Sequence, residues 1–286
     1  MAVSRSIPPL LNVQSTFPTN PRSILQSIQR NRSLILDMTR REIKKKYQGT
    51  FLGLAWSFIS PLLMLSVYTF VFAVVFKSRW GTTGDESRIE FAITLFAGLI
   101  VFGIFSESLN QSPGLIISNA NYVKRVIFPL EILSIVSVAS ILFNAAMSVV
   151  VLLLMQLMFK GSLPLTVIFF PLVVLPISLL GLGASWFFSA LGVYLRDIGQ
   201  LLGFLTTILF FTSAIFFPIS ALPENYQRLL KFNPLVLFIE QSRNVLVYGN
   251  SPDWVTSFIL LIISSLAAWI GYWWFQKARK GFSDVL

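Results

Sequence analysis

ILSIVSVASILFNAAMSVVVLLLMQLMF, Ile132 to Phe159, runs for 28 residues without an Asp, Glu, Lys or Arg. As a helix it measures about 42 Å, where about 20 apolar residues already cross the roughly 30 Å hydrocarbon core of a bilayer. This stretch decides the fold class, an all-α integral membrane protein. Five more stretches lack charge or nearly so: Phe51 to Phe76, Phe91 to Ser106, Gly161 to Leu195, Ile198 to Pro223 and Trp254 to Gln276. Phe91 to Ser106 is short and reaches spanning length only by taking in Glu107 and Asn110. Gly161 to Leu195 would make about 52 Å of helix, too long for one straight span and too short for two spans with a turn. Pro164, Pro171 and Pro176 in its first half make it a loop or broken start followed by one span. The expectation is six transmembrane helices.

Composition agrees. Of 286 residues 55% are hydrophobic and 12% charged, about half the ~25% charged share of soluble domains, and the mean hydropathy is +0.75. An ordinary soluble enzyme and a disordered chain are excluded. Cysteine and histidine are both absent, which removes disulfides, iron–sulfur sites, Ser-His triads, zinc hydrolase sites and haem ligation by His. Charge sets the orientation. Residues 1–50 hold nine Lys/Arg against two acids, and Lys277, Arg279 and Lys280 follow the last span. Both termini read as cytoplasmic under the positive-inside rule, which requires an even number of spans. With six spans, 15 Lys/Arg lie inside and 7 outside, so the basic balance is a topology signal rather than a nucleic-acid footprint.

The chain divides accordingly. Residues 1–21, rich in Pro, Ser and Asn, are expected to be a disordered N-terminus. Residues 22–50 read as an amphipathic cytoplasmic interface helix, capped at Ser23 and again at Ser33, with Ile24, Leu25, Ile28, Leu34, Ile35, Met38 and Ile43 as its apolar side. A plain polybasic anchor is the alternative. Residues 51–276 form the six-span domain and 277–286 a cytoplasmic tail. Gln111 to Pro129 is a cytoplasmic loop long enough for a short helix, and Arg196 with Asp197 makes a minimal second connection. Pro218 to Asp253 lies outside and suits a pair of re-entrant helices between spans five and six.

No GxxxxGK[ST] phosphate loop occurs, so ATP is not bound by that motif. Glu107 and Glu131 read as residues at span ends, which leaves Asn144, Gln156 and Gln200 as the central polar groups, suited to helix–helix hydrogen bonding. Spans and loops without an energy source point to a subunit driven by a partner. Aromatic residues cluster in span one (Trp56, Phe58, Tyr68, Phe70, Phe72) and span five (Phe204, Phe210, Phe211, Phe216, Phe217). Such rings carry sugars by C–H/π contact without fixing their register, or serve as lipid-facing packing.

KKKYQGTFLGLAWSFISPLLML, Lys44 to Leu65, resembles the opening of the polysaccharide-exporting ABC transporter permeases of the O-antigen, teichoic-acid and capsule type. NYVKRVIFPLEIL, Asn121 to Leu133, resembles their signature between spans two and three. Tyr194 to Ile198 and Asn233 to Leu235 are similar to later landmarks, and the likeness covers roughly residues 25–280. It implies a homodimer in the bacterial inner membrane with two ATPase subunits on the cytoplasmic side, where ATP and Mg would sit, no cofactor being held by this chain. The cargo it implies is an undecaprenyl-diphosphate-linked glycan, moved outward. The interface helix and the loop from Ser118 to Phe128 would contact the ATPase, with Asn121, Tyr122, Lys124, Arg125, Arg196 and Asp197 as coupling residues. Trp56, Tyr68, Phe72, Phe204, Phe210 and Phe211 would line the channel. Lys44, Lys45 and Lys46 would attract the diphosphate at the entrance. The bland alternative for both basic clusters is the positive-inside rule alone. A permease for a smaller lipid or drug shares the fold. A channel or secondary carrier would need no ATPase, and a membrane glycosyltransferase would need acid pairs that no segment supplies.

Overall fold

The computed structural model describes residues 19–71, 88–123, 128–219, 222–231 and 233–286, and among them the regular structure is helical throughout. Residues 1–18, most of the expected disordered segment, lie outside the described residues. The helices are α1 (Pro21–Arg30), α2 (Arg32–Tyr47), α3 (Trp56–Tyr68), α4 (Arg88–Leu115), α5 (Ala120–Val123), α6 (Ile132–Lys160), α7 (Phe170–Tyr194), α8 (Ile198–Thr212), α9 (Glu224–Lys231), α10 (Pro234–Arg243), α11 (Trp254–Ala278) and α12 (Phe282–Val285). Among the described residues five helical runs are long and apolar enough to cross a membrane: Gly53–Val71, Ile89–Leu115, Ile132–Lys160, Leu165–Tyr194 and Trp254–Val285.

The interface segment is two helices with a break at Asn31, not one. Ser23 does not cap α1. It sits inside the first turn, buried, and its hydroxyl donates to the Asn20 carbonyl. Ser33 lies exposed within α2, where Asn31 holds the N-cap position. Ile35 of α2 packs on Ile132 and Val136 of α6, so this helix is docked on the bundle as well as basic.

The charge-free block of α6 becomes one helix of 29 residues, ended by Gly161 at φ 68, the left-handed geometry that favours glycine. The ambiguous fourth stretch resolves into a short 3-10 turn (Leu165–Phe169) and one helix, α7, with Pro171 in its first turn, where the missing N–H is harmless. The tightest crossing joins α7 and α11. A Cβ at Gly183 would lie 2.7 Å from the Ala267 carbonyl oxygen, and one at Gly271 would collide with the Gly183 backbone. Small residues let transmembrane helices approach this closely.

Two expectations change. α4 runs past Ser106 to Leu115, because Ser108 and Ser112 turn their hydroxyls onto the Ile104 and Leu109 carbonyls and remain buried. Glu107 therefore stands inside the span and not at its end. The fifth stretch does not stay helical to Pro223. α8 ends at Thr212 after 15 residues, about 22 Å, which is shorter than the hydrocarbon core. Ala214 follows with φ 51, and the Ala214 and Ile215 carbonyls accept from the Arg243 guanidinium at 3.0 and 2.8 Å. Arg243, fully buried, also donates to the Thr94 carbonyl of α4 and pairs with Glu240. A cation at the C-terminal end of a helix satisfies carbonyls the helix itself has released.

α10 packs Leu235, Phe238 and Ile239 against Val101 and Ile104 of α4, Ile177 of α7 and Leu260 of α11, so part of the segment after α8 lies within the bundle. The Asp253 carboxylate caps α11 by accepting from Val255 and Thr256. At one end of the molecule the Tyr194 hydroxyl donates to the Ala278 carbonyl. At the other, Phe169 meets Trp254 edge-on at 5.5 Å, so α7 and α11 run antiparallel. The first end also gathers α1, α2 and the chain's last residues, through Ser27 donating to Glu131 and Glu131 pairing with Arg279 at 2.9 Å. It carries Lys44, Lys45, Lys46, Lys277, Arg279 and Lys280, and is called the basic end below.

Candidate functional site

Two cavities converge on the basic half of the bundle. The first, of 550 Å³, lies between α3, α4 and α6 with Phe210 of α8 in its wall. Its polar lining comes from Lys46, Tyr47, Ser57, Ser60, Ser106, Glu107, Asn144 and Ser148, and its apolar lining includes Tyr68, Phe96 and Phe102. The chain order explains the arrangement. α3 and α6 leave the basic end and α4 returns to it, and the polar residues sit early on α3, late on α4 and midway along α6. The Tyr47 hydroxyl, from the last turn of α2, donates to Asn144 Oδ1 at 3.0 Å. Burial first, and then the Glu107 carboxylate, push the Tyr47 hydroxyl above its usual range, so it stays a protonated donor. Glu107 Oε2 is buried and has no hydrogen-bond partner among the described residues.

The second cavity, of 500 Å³, lies at the basic end between α2 and the turn from α4 to α6. Arg41, Lys44 and Lys45 line it together with Glu42, Gln48, Gln111, Asn119, Tyr122 and Ser137. Gln111 accepts from the Ser137 hydroxyl at 3.1 Å, which ties the end of α4 to the start of α6.

The sequence-read residues distribute as follows. Lys44 and Lys45 face the second cavity and Lys46 the first, so the basic triplet is split between them. Tyr122 reaches the second cavity and stacks on Phe128, with ring centroids 4.4 Å apart. Asn121 is exposed on α5, and Arg196 and Asp197 form an exposed turn between α7 and α8. Lys124 and Arg125 lie outside the described residues, as does Phe72. Tyr68 and Phe210 meet in the wall of the first cavity. Phe210 packs on Phe102 at 5.4 Å and on Phe216 at 4.9 Å. Phe204 and Phe211 are 69% and 62% exposed, and Trp56 is half-buried at the start of α3, so these three do not join that wall.

Sequence reasoning missed Tyr47 and Glu107 as members of one cluster. The signal for Glu107 was its place in an apolar run that continues through Leu109, Ser112 and Pro113. Tyr47 carried no signal, since only the docking of α2 on α6 brings it to Asn144. Of the three central amides, Asn144 accepts from Tyr47, and Gln156 donates to the Leu246 carbonyl at 2.7 Å, joining α6 to the turn after α10.

A family model described as ABC-2 type transporter matches residues 33–247. The chain is similar to the O-antigen export system permease protein RfbA of Myxococcus xanthus, 25% identical over 265 residues, covering 92% of this chain and 99% of the relative. It is similar to the polysialic acid transport protein KpsM of Escherichia coli, 29% identical over 238 residues, covering 81% and 88%. It is also similar to the capsule polysaccharide export inner-membrane protein CtrC of Neisseria meningitidis, 23% identical over 256 residues, covering 86% and 93%.

Proposed function

The chain belongs to the ABC-2 type transporter family, and from that premise we propose that it is the membrane subunit of an ATP-driven exporter passing a lipid-linked polysaccharide outward across the bacterial inner membrane. The observation that carries the reading is the near end-to-end similarity to relatives named as O-antigen and capsule polysaccharide export proteins. The working unit is a homodimer with two copies of a separate ATPase, which supplies the energy source this chain's sequence lacks. Both termini face the cytoplasm. α8 serves as the fifth of six spans, with α9 and α10 as outer re-entrant helices. The ATPase docks at the basic end, on α2, α5 and the loop through Lys124 and Arg125, with Arg196 and Asp197 beside it. Closure of the ATPases on ATP pushes these short elements, and the long helices shift as rigid bodies between two packings.

The second cavity suits the anionic head of an undecaprenyl-diphosphate carrier, with Arg41, Lys44 and Lys45 supplying charge-assisted hydrogen bonds and Gln111 and Asn119 neutral ones. The aromatic wall of the first cavity suits a sugar chain that must slide, because ring faces hold it weakly at many registers. The test is complementation. This chain, expressed with its cognate ATPase in cells lacking their own O-antigen or capsule export permease, is expected to restore surface polysaccharide and to co-purify with the ATPase. Absence of surface polysaccharide from cells in which the complex is folded and intact would overturn the reading.

A further inference from the structure

Pro113 stands in the last turn of α4, where it has no N–H to give the Leu109 carbonyl. The Ser112 hydroxyl donates to that carbonyl at 2.7 Å instead, and the helix continues to Leu115. The buried Pro113 backbone lies against Gly192 in the last turn of α7. A Cβ at Gly192 would stand 2.7 Å from Pro113 Cα and would collide with its carbonyl oxygen. Past the Arg196–Asp197 turn, a Cβ at Gly199 in the first turn of α8 would stand 3.9 Å from Pro113 Cβ. Pro113 thus fills a notch whose two walls lie on either side of that turn. One turn back along α4, the Asn110 amide donates to the Thr206 hydroxyl of α8 at 3.3 Å. Backbone packed on backbone has no side chain that can rotate away, and close-packed interiors transmit a displacement rather than absorb it.

The last residues of the chain close the same arrangement. Phe282, fully buried, shares one core with Ile116, just past α4, and with Val193 of α7. Its ring centroid lies 6.1 Å from that of Tyr194 and 5.7 Å from that of Phe275 in α11. The Tyr194 hydroxyl donates to the Ala278 carbonyl at 2.8 Å, and a Cβ at Gly281 would stand 2.6 Å from that hydroxyl. We infer that the α4–α6 connection and the α7–α8 turn answer the ATPase as one body, with Pro113 wedged between them and Phe282 as the positioning residue that holds them together. The inference rests on the proposed function and adds to it how the stroke is shared. A push on either connection moves the ends of α4, α7 and α8 together, and α8 carries Phe210. Two connections working as separate levers would have to draw Pro113 out of its notch in every cycle.

The test uses the full chain with its ATPase in proteoliposomes, and surface polysaccharide is scored in cells per folded complex. The native chain has no cysteine, and a Cβ separation of 3.9 Å between positions 113 and 199 lies within the range of about 3.5–4.5 Å that a disulfide needs. Pro113→Cys with Gly199→Cys is expected to oxidise equally fast in the nucleotide-free complex and in the complex trapped with ATP and vanadate. The bond is expected to leave ATP hydrolysis and export near wild type. Phe282→Ala is expected to keep ATP hydrolysis and to lower export per ATP hydrolysed about tenfold, within the range seen when residues linking two sites are changed. Phe282→Leu, which keeps an apolar filler, is expected to stay near wild type. In the Phe282→Ala chain, oxidising the same cysteine pair is expected to restore export and reducing it to remove the rescue. A pair that fails to oxidise, that oxidises in one nucleotide state alone, or whose bond blocks export until reduced overturns the single body. Wild-type export per ATP in Phe282→Ala, or no rescue on oxidation, overturns the part given to Phe282. If Phe282→Ala gives no folded complex, the cysteine pair in the otherwise native chain decides. Absence of wild-type export sinks the exporter reading instead, and the oxidation rates, which need no cargo, still decide whether the connections move as one.

Discussion

Arg243 spends its guanidinium on three main-chain carbonyls: Thr94 inside α4 at 3.2 Å, and Ala214 and Ile215 past the end of α8 at 3.0 and 2.8 Å. A buried acceptor deprived of its donor costs about 1–3 kcal/mol. Arg243→Met takes this donor from all three, two of which lie past the end of α8, and Arg243→Lys keeps the charge without the fork that reaches several acceptors. Thermal unfolding in detergent, followed by tryptophan fluorescence, is expected to show a large drop in midpoint for Arg243→Met and an intermediate one for Arg243→Lys. Wild-type midpoints in both would show that Arg243 does not hold the end of α8. Gly98 belongs to the same arrangement, because a Cβ there would stand 3.0 Å from Arg243 Nη2 and 3.2 Å from Ile239 Cγ2. None of this was legible along the chain. Arg243 reads there as one more charge in an outer segment, since its carbonyl partners lie 149, 29 and 28 residues away.

Elements were legible where a single physical term decides them. α6 and α11 follow their charge-free blocks within a few residues, because hydrocarbon burial alone sets their length. α4 and α8 did not, because local hydrogen bonding and a distant cation moved their ends. Tyr68 and Phe210 each carried an aromatic signal in its own span, and Glu107 carried none that placed it in the same cavity. The packing of elements gives two predictions. At the α7–α11 crossing the obstacle is backbone, which cannot rotate away. Gly271→Leu is therefore expected to reduce the folded yield severely, whereas Gly103→Ala, which faces open space, leaves it near wild type. Similar yields for the two variants, measured as monodisperse protein after detergent extraction, would contradict the crossing.

The second concerns the ion pair of Arg279 with Glu131, whose side chains are 11% and 9% exposed. It joins the end of α11 to the start of α6, and Ser27 of α1 donates to the same carboxylate. Removing one partner of a buried pair costs about 3–5 kcal/mol, while removing both costs far less. Arg279→Met is expected to lower the unfolding midpoint more than Glu131→Gln combined with Arg279→Met does. A strictly additive double variant would mean that the pair carries no coupling.

At the scale of the whole molecule the question is how often the chain crosses. Among the described residues five runs are long enough, yet α1 and α12 both lie at the basic end. An odd number of crossings would separate them. The proposed sixth crossing would fall between Tyr194, beside Ala278 at the basic end, and Trp254, beside Phe169 at the other. Over that interval α8 alone supplies about 22 Å of apolar helix, and the remaining depth falls to the non-helical residues past Thr212, whose carbonyls Arg243 satisfies. Unpaired backbone at membrane depth is tolerated where protein buries it. The native chain has no cysteine, so single-cysteine variants report cleanly. With the basic end inside by the positive-inside rule, a membrane-impermeant maleimide is expected to label Tyr226→Cys in intact spheroplasts. It is expected to label Lys45→Cys and Arg196→Cys only after the membrane is opened. All three residues are exposed, so access rather than burial decides the result. Arg196 and Tyr226 bracket α8, which makes them the discriminating pair. If both react from the same side, α8 does not cross, and the six-span topology falls with it.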